Sequence, residues 1–179
     1  MKHFISRRNF LKAAGVTAAA SAMAAAVPQA SACWLTGKDA AVTILYTNDV
    51  HTYIDNKSPK LTYAAIAALK QGYVDEGKPV LLVDAGDHIQ GTAYGSMDDG
   101  ATIIELMNEA GYDVATLGNH EFDYGMARAK AVIKEADFPY VSCNWVDLRT
   151  GLRVLPAVKL FPAGGKWIAF VGITTPESF

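Results

Sequence analysis

The sequence predicts an α/β domain in which a mostly parallel β-sheet is flanked by helices. The first observation behind this prediction is an alternation that starts at residue 41. Short apolar runs rich in β-branched residues alternate with stretches whose apolar positions follow helical spacing. The second is that 51% of the 179 residues are hydrophobic, which is enough for a sizeable core. Strands that alternate with helices form right-handed βαβ units, and these place the strands in a buried parallel sheet.

Four strands and three helices are expected in the alternating part of the chain. The strands are expected at residues 41–47, 79–83, 114–117 and 139–142. The helices are expected at residues 61–71, 102–110 and 126–136, and Gly111 should end the second one. Two further apolar runs, 154–160 and 167–173, are joined by Pro162-Ala163-Gly164-Gly165 and predict a hairpin. Since no repeat, coiled coil or linker interrupts residues 41–179, a single domain is expected there.

Residues 1–32 are expected to be an export signal and not part of the fold. The segment contains Arg7 and Arg8 followed by Phe-Leu-Lys, then an alanine-rich stretch, and it ends in Ala30-Ser31-Ala32. This arrangement resembles a twin-arginine signal peptide, which directs folded proteins to export. The alternative is a membrane anchor, but an apolar run of about 15 residues is shorter than the roughly 20 that span a bilayer. The mature protein is therefore expected in the periplasm, the cell envelope or the extracellular space.

Residues 33–40 are interpreted as a short lead between the signal and the domain. Cleavage after Ala32 would leave Cys33 at the new N-terminus, where lipidation could tether the protein to a membrane. Ala30 stands where lipoprotein signals usually have leucine, which argues against this modification. A membrane contact is expected only through export or through lipidation of Cys33. The other cysteine, Cys143, lies in an apolar run and is interpreted as a small core residue, although a disulfide is the alternative.

The distribution of charge argues against a nucleic-acid polymer as partner. Of the 16 lysines and arginines, four lie in residues 1–32, whereas all 18 acidic residues lie after that segment. A nucleic-acid-binding domain would instead carry a basic patch or stripe.

Polar residues of the kinds that bind metals follow the first three predicted strands. Asp49 and His51 follow the first strand, Asp87 follows the second, and Asn119 and His120 follow the third. Because ligands bind at the carboxyl ends of the strands in an open parallel sheet, these residues predict one common site.

The residue types fit a pair of divalent metal ions. Asp49 and His51 are two residues apart, so in an extended chain their side chains would point the same way. The carboxylate of Asp87 could bridge two ions about 3.5–4 Å apart, and Asn119 offers a neutral oxygen. A mixed set of nitrogen and oxygen ligands favours Zn, Mn or Fe over Ca.

His120 and Asp123 predict a proton-transfer pair beside these ligands. His120 could protonate a leaving oxygen, while Asp123 fixes its tautomer and raises its basicity. His120 and Asn119 are also expected to contact the substrate.

Three motifs, LYTNDVHT, DAGDHIQGT and LGNHEFDYG, occur in that order and resemble those of the calcineurin-like metallophosphoesterases. The similarity is greatest to the secreted 5′-nucleotidase / 2′,3′-cyclic phosphodiesterase branch, of which ITTPES near the end is also typical. The resemblance implies a layered α/β sandwich, with residues 41–179 forming the N-terminal part of a metallophosphoesterase domain. It also implies a hydrolase that acts on nucleotide or other phosphate esters.

The resemblance further implies a role for each residue of the predicted site. It implies four metal ligands: Asp49 and His51 at one ion, Asp87 between both ions, and Asn119 at the second. It also implies that His120 and Asp123 form the catalytic dyad.

Four other polar residues near the motifs are interpreted as structural. His88 matches no ligand of the family and is interpreted as a loop residue. Asp84 is expected to accept hydrogen bonds at the end of a strand. Glu121 and Asp113 are expected to be solvated or to cap backbone groups.

The family's later motifs, Gly-His and Gly-His-x-His, have no counterpart here, since no histidine follows His120. The sequence therefore predicts a truncated domain with three protein ligands at one ion and two at the other. The alternative to an active phosphoesterase is an inert or catalytically incomplete fragment. A further alternative keeps the metal chemistry but changes the substrate to a cyclic nucleotide, a nucleotide sugar or a sulfur ester.

Overall fold

The computed structural model describes residues 41–54 and 62–175. The expected signal peptide, the lead with Cys33, the predicted helix start at Leu61 and the end of the ITTPES motif lie outside the described residues.

Three parallel strands form the sheet that positions the predicted site. These strands are β1 (Thr43–Thr47), β2 (Val80–Asp84) and β3 (Val114–Ala115), and their order in the sheet is β1-β2-β3. Thr47 pairs with Asp84, and Asp84 pairs with Ala115, so all three strands end in one row. The segments that leave these strands therefore start side by side, as the sequence predicts.

Two expectations about the sheet are wrong in detail. β1 was expected to be buried, but its side chains alternate between half-buried and exposed, and 74% of Tyr46 is exposed. The reason is that β1 lies at the edge of the described sheet. The fourth predicted strand, at residues 139–142, is reduced to one bridge between Ala115 and Tyr140. It leaves the sheet there, since the amide of Ser142 donates to the carbonyl of Pro156.

The three predicted helices are present, with two short helical segments between them. The helices are α1 (Tyr63–Asp75), α2 (Ala93–Ser96), α3 (Ala101–Ala110) and α4 (Met126–Glu135), and a 3₁₀ turn covers His120–Phe122. The side chain of Thr62 caps α1 by accepting a hydrogen bond from the amide of Ala65 at 3.2 Å. Gly111 ends α3 in the left-handed conformation with φ of 77°, as expected.

The core lies between the sheet and these helices. Its fully buried members come from β2, the helices and the loops after β2 and β3, and they include Leu82, Ile89, Ile103, Met107, Leu117 and Val132. Four of the five residues of β2 are buried, because this strand has neighbours on both edges and α1 packs against it.

Four antiparallel strands follow the βαβ part. The small pair β4 (Val146–Asp147) and β5 (Leu152–Arg153) was not predicted, whereas β6 (Val158–Ala163) and β7 (Lys166–Val171) form the predicted hairpin. The turn of the hairpin is shorter than expected, because Gly164 and Gly165 alone form it, with φ of 56° and 73°.

One face of the β6–β7 hairpin is apolar and exposed. Alternate residues on paired strands share a face, and on this face the exposed members include Val158, Leu160, Trp167 and Val171.

Among the described residues, no helix combines the length and the apolar character that a membrane crossing requires.

Candidate metal centre

The loops that leave β1 and β2 are joined by backbone hydrogen bonds beyond the ends of the strands. The amide of Asp49 donates to the carbonyl of Gly86 at 3.2 Å, and the amide of His51 donates to the carbonyl of Asp87 at 2.9 Å. The two loops therefore continue side by side after the sheet ends, and they carry three of the four predicted metal ligands.

These three residues all adopt the left-handed backbone conformation. The φ angles are 52° for Asp49, 47° for His51 and 59° for Asp87, and the β-branched Thr52 has φ of 58°. Such angles are uncommon outside glycine, and they concentrate at functional sites. The expectation that residues 49–51 are extended is wrong, because the chain turns here to pair with the loop after β2. The two side chains still approach each other, with 3.9 Å between His51 Nε2 and Asp49 Oδ1.

His51, Asp87 and His120 form the cluster in which a metal ion could be held. Each residue offers one ligand atom, and these atoms lie within 4.8 Å of one another. The rings of His51 and His120 meet edge to face, with 5.0 Å between their centroids. His120 was predicted as a proton donor and not as a ligand, so its place in the cluster is new.

Hydrogen bonds fix the tautomers of both imidazoles. Nδ1 of His51 lies 3.1 Å from the carbonyl oxygen of Gln90, and since a carbonyl can only accept, Nδ1 must carry the proton. Nδ1 of His120 lies 2.7 Å from Asp123 Oδ2, so the predicted contact between these two residues is present. This hydrogen bond raises the pKa of His120. In both neutral rings Nε2 is then the atom with a free lone pair, as in metal-binding histidines.

Asp87 is fixed by the loop that leaves β3. Its Oδ1 accepts a hydrogen bond from the amide of His120 at 2.8 Å. Gly118 lies so close that a methyl group there would collide with the Asp87 carboxylate. Burial raises the pKa of Asp87. Asn119, the fourth predicted ligand, is half-buried between Gly118 and His120 at the start of the 3₁₀ turn.

Glu121 is buried below the cluster and caps backbone amides, so of the two expected roles it has the second and is not solvated. Its carboxylate accepts hydrogen bonds from the amides of Asp87, His88, Ile89 and Gly118. The sequence contained one signal for this role. Two tight loops with many amides that pair with no strand need buried acceptors, and a carboxylate inside one of the motifs can supply them.

His88 belongs to the same buried layer. It is a loop residue as expected, but it is fully buried, with Nδ1 donating to Asp84 Oδ1 at 2.7 Å and Nε2 lying 2.8 Å from the hydroxyl of Tyr140. Burial alone would lower the pKa of His88, but the charges of Glu121 and Asp84 outweigh it and raise the pKa to about 9.

The two remaining carboxylates that were interpreted as structural have different outcomes. Asp84 is confirmed as a hydrogen-bonding carboxylate at the strand end, since it also accepts from the Thr47 hydroxyl and from the amide of Gly86. Asp113 caps a backbone amide, the second of its two expected roles, and is not solvated. It accepts from the amide of Leu82 and from Lys70 Nζ, both at 2.7 Å, and this ties α1 to β2.

Comparison with known proteins gives two family matches. The profile of the calcineurin-like phosphoesterases matches residues 42–176, and the profile of the twin-arginine translocation signal matches residues 5–27. The second match confirms the predicted export signal.

Individual relatives agree with the first match. The chain is 34% identical over 163 residues to a rat 5′-nucleotidase, with 81% of this chain and 28% of the relative covered. It is 31% identical over 179 residues to a 5′-nucleotidase of Vibrio vulnificus, with 97% and 32% covered. The crystal structure of a 5′-nucleotidase precursor from Thermus thermophilus is 30% identical. It superposes with a TM-score of 0.67, and 76% of this chain and 29% of that chain are covered.

Proposed function

The chain belongs to the calcineurin-like phosphoesterase family, and from this premise we propose that it is an exported hydrolase of the 5′-nucleotidase type. Its substrates would be phosphate esters of nucleotides, and its site would use two divalent metal ions. The chain spans about a third of the length of the curated relatives described above, at 28% and 32%, so the activity of this chain is itself part of the proposal.

The observation that carries the proposal is the cluster of His51, Asp87 and His120 at the carboxyl edge of the sheet. Three residues from three separate loops converge there. Both imidazoles are oriented by a hydrogen bond at Nδ1, which leaves Nε2 of His51 as a ligand atom and Nε2 of His120 available for proton transfer.

The residues present fit divalent metals of the transition series. Asp49, His51 and Asp87 would hold one ion, and Asp87 and Asn119 would hold the second. Imidazole nitrogens combined with carboxylate and amide oxygens favour Zn, Mn or Fe. When bound, these ions would supply positive charge that polarises the phosphate ester and lowers the pKa of water.

His120 would act on the leaving group of the ester. Since Nδ1 is bonded to Asp123, Nε2 is the free ring nitrogen, and in the protonated ring it can donate a proton to the departing ester oxygen. Asp123 accepts the hydrogen bond from Nδ1, which keeps the ring oriented and favours its protonated form. His120 and Asn119 would also contact the phosphate.

The test is phosphate release from a nucleoside monophosphate by the 179-residue chain in the presence of Mn²⁺ or Zn²⁺. We expect turnover by the wild type and a rate reduced about 10²–10⁴-fold in His120→Ala, because a positioned acid is lost. A wild-type rate no higher than that of His120→Ala would refute hydrolysis by this chain.

The metal content of His120→Ala separates the two roles that His120 can have in the cluster. If His120 acts as the acid, elemental analysis should find as much metal per chain in the variant as in the wild type. A fall in metal content would show instead that His120 is a ligand, and would contradict the assignment made above.

A further inference from the structure

The carboxylate of Glu121 holds the loops after β2 and β3 together. Oε2 accepts from the amides of Gly118 at 2.6 Å and Asp87 at 2.9 Å. Oε1 accepts from the amides of His88 at 2.8 Å and Ile89 at 3.4 Å. The side chain is fully buried and both oxygens are occupied, so Glu121 touches the site only through backbone groups.

Both the backbone and the side chain of Asp87 are held by hydrogen bonds in this arrangement. Its amide donates to the Glu121 side chain, and its own side chain accepts from the amide of His120, the neighbour of Glu121. Its carbonyl accepts from the amide of His51. The left-handed conformation of Asp87, with φ of 59°, is therefore fixed by hydrogen bonds to three residues of two other loops.

From these contacts we propose that Glu121 is a positioning residue that keeps the Asp87 carboxylate directed at His51 and His120, and thereby sets the affinity of the site for divalent ions. The proposal rests on the proposed metal site. It adds to that site a residue that would contribute no ligand atom.

The chemistry of the contact requires a full carboxylate of this length. Four amide donors need two acceptor oxygens, and glutamine would turn an NH₂ group towards two of them. Those donors would then be buried without an acceptor, which drives the loop to rearrange. Aspartate retains the charge, but it is one methylene shorter and cannot reach both loops at once.

The experiment compares Glu121→Gln with Glu105→Gln, which makes the same change of charge on the exposed side of α3. Mn²⁺ is titrated into each variant of the full chain and followed by calorimetry. We expect Glu121→Gln to bind Mn²⁺ about 10–100-fold more weakly, as for the loss of other groups that orient a ligand. Glu105→Gln should bind like the wild type. Equal affinities of Glu121→Gln and the wild type would overturn the proposal.

The absorption spectrum of bound Co²⁺ separates positioning from a general loss of stability. At saturating Co²⁺ the visible bands of folded Glu121→Gln should differ in position or intensity from those of the wild type, because the Asp87 carboxylate is displaced. Identical bands would overturn the proposal. If the wild type binds neither Mn²⁺ nor Co²⁺, the proposed metal site itself fails.

Hydrogen exchange in the wild type tests the positioning contact without any metal or variant. The amides of Asp87, His88 and Gly118 should exchange as slowly as those of β2, since a buried carboxylate accepts from them. Exchange as fast as in exposed loops would overturn the proposal. If Glu121→Gln fails to fold, Glu121→Asp takes its place in the Mn²⁺ titration, with weaker binding expected and unchanged binding counting against the proposal.

Discussion

Thr52 is fully buried in the left-handed conformation, which a β-branched residue rarely adopts. It is held by Thr92 in the segment after β2. The hydroxyls of the two threonines are 2.7 Å apart, the amide of Thr92 donates to Thr52 Oγ1 at 2.7 Å, and the hydroxyl of Thr92 donates to the carbonyl of Thr52 at 3.0 Å. These bonds fix the residue next to His51, so the pair determines where one imidazole of the cluster lies.

At this residue, Thr52→Val should lower the free energy of unfolding by about 1–3 kcal/mol. The substitution keeps the shape of the side chain but leaves the amide of Thr92 without its acceptor. Urea denaturation measures the change. Thr150→Val, in an exposed turn, is the matched control and should lower the free energy of unfolding by less. Equal costs for the two variants would contradict this account.

At the scale of elements, the glycines of the βαβ part differ sharply in their surroundings. Gly72 lies inside α1, and among the described residues outside this helix no atom comes within 4 Å of the place that a methyl group would occupy there. Gly118, in contrast, lies against the Asp87 carboxylate, and Gly86 lies against the backbone of Gly118. The first glycine only weakens a helix, while the other two allow the loops after β2 and β3 to touch.

Gly72→Ala should therefore stabilise the protein by about 0.5–1 kcal/mol, because alanine loses less backbone entropy in a helix. Gly118→Ala should destabilise it and should weaken Mn²⁺ binding, because the methyl group displaces the Asp87 side chain. Thermal unfolding and metal titration of both variants provide the measurement. Intact Mn²⁺ binding in Gly118→Ala would refute the steric explanation.

Alternation of apolar runs was sufficient to predict β1, β2, β3 and the three main helices, because each buries a regular pattern of side chains. It failed where tertiary contacts decide the structure. Residues 139–142 look like a strand, but Ser142 pairs outside the sheet, and Asp147 lies in a short β4–β5 pair with little apolar pattern.

The position of the candidate site could also be predicted in part from the sequence, while the roles of its residues stay predictions. The strand exits located Asp49, His51, Asp87 and His120, because strand position depends on hydrophobic pattern. The buried layer of Glu121 and His88 was missed, since the burial of a polar residue depends on partners distant in sequence.

At the scale of the whole molecule, the described surface carries an apolar face on the β6–β7 hairpin. Trp167 is 70% exposed there, and Leu160 and Val171 lie on the same face. A contiguous group of exposed apolar side chains is a site of association for other apolar molecules.

Trp167→Ser should consequently reduce the fluorescence enhancement of a hydrophobic dye such as anilinonaphthalene sulfonate. Leu148→Ser, in the exposed turn between β4 and β5, removes a similar apolar side chain outside this face and should have a smaller effect. A larger loss of dye signal in the Leu148 variant would show that the hairpin is not the principal apolar surface.

The contacts of Glu121 also have a consequence for the order in which the chain folds. Its donors at Asp87 and His88 are 34 and 33 positions away in sequence, so they are brought near only when the chain between β2 and the 3₁₀ turn has closed into its loop. Closing such a loop costs entropy before any contact repays it, which makes non-local pairings slow to form. Glu121 should remain solvated through the early stages of folding and lose its water only as the loops after β2 and β3 dock. The geometry of the cluster should thus be established only after the chain between Asp87 and Glu121 has closed into its loop.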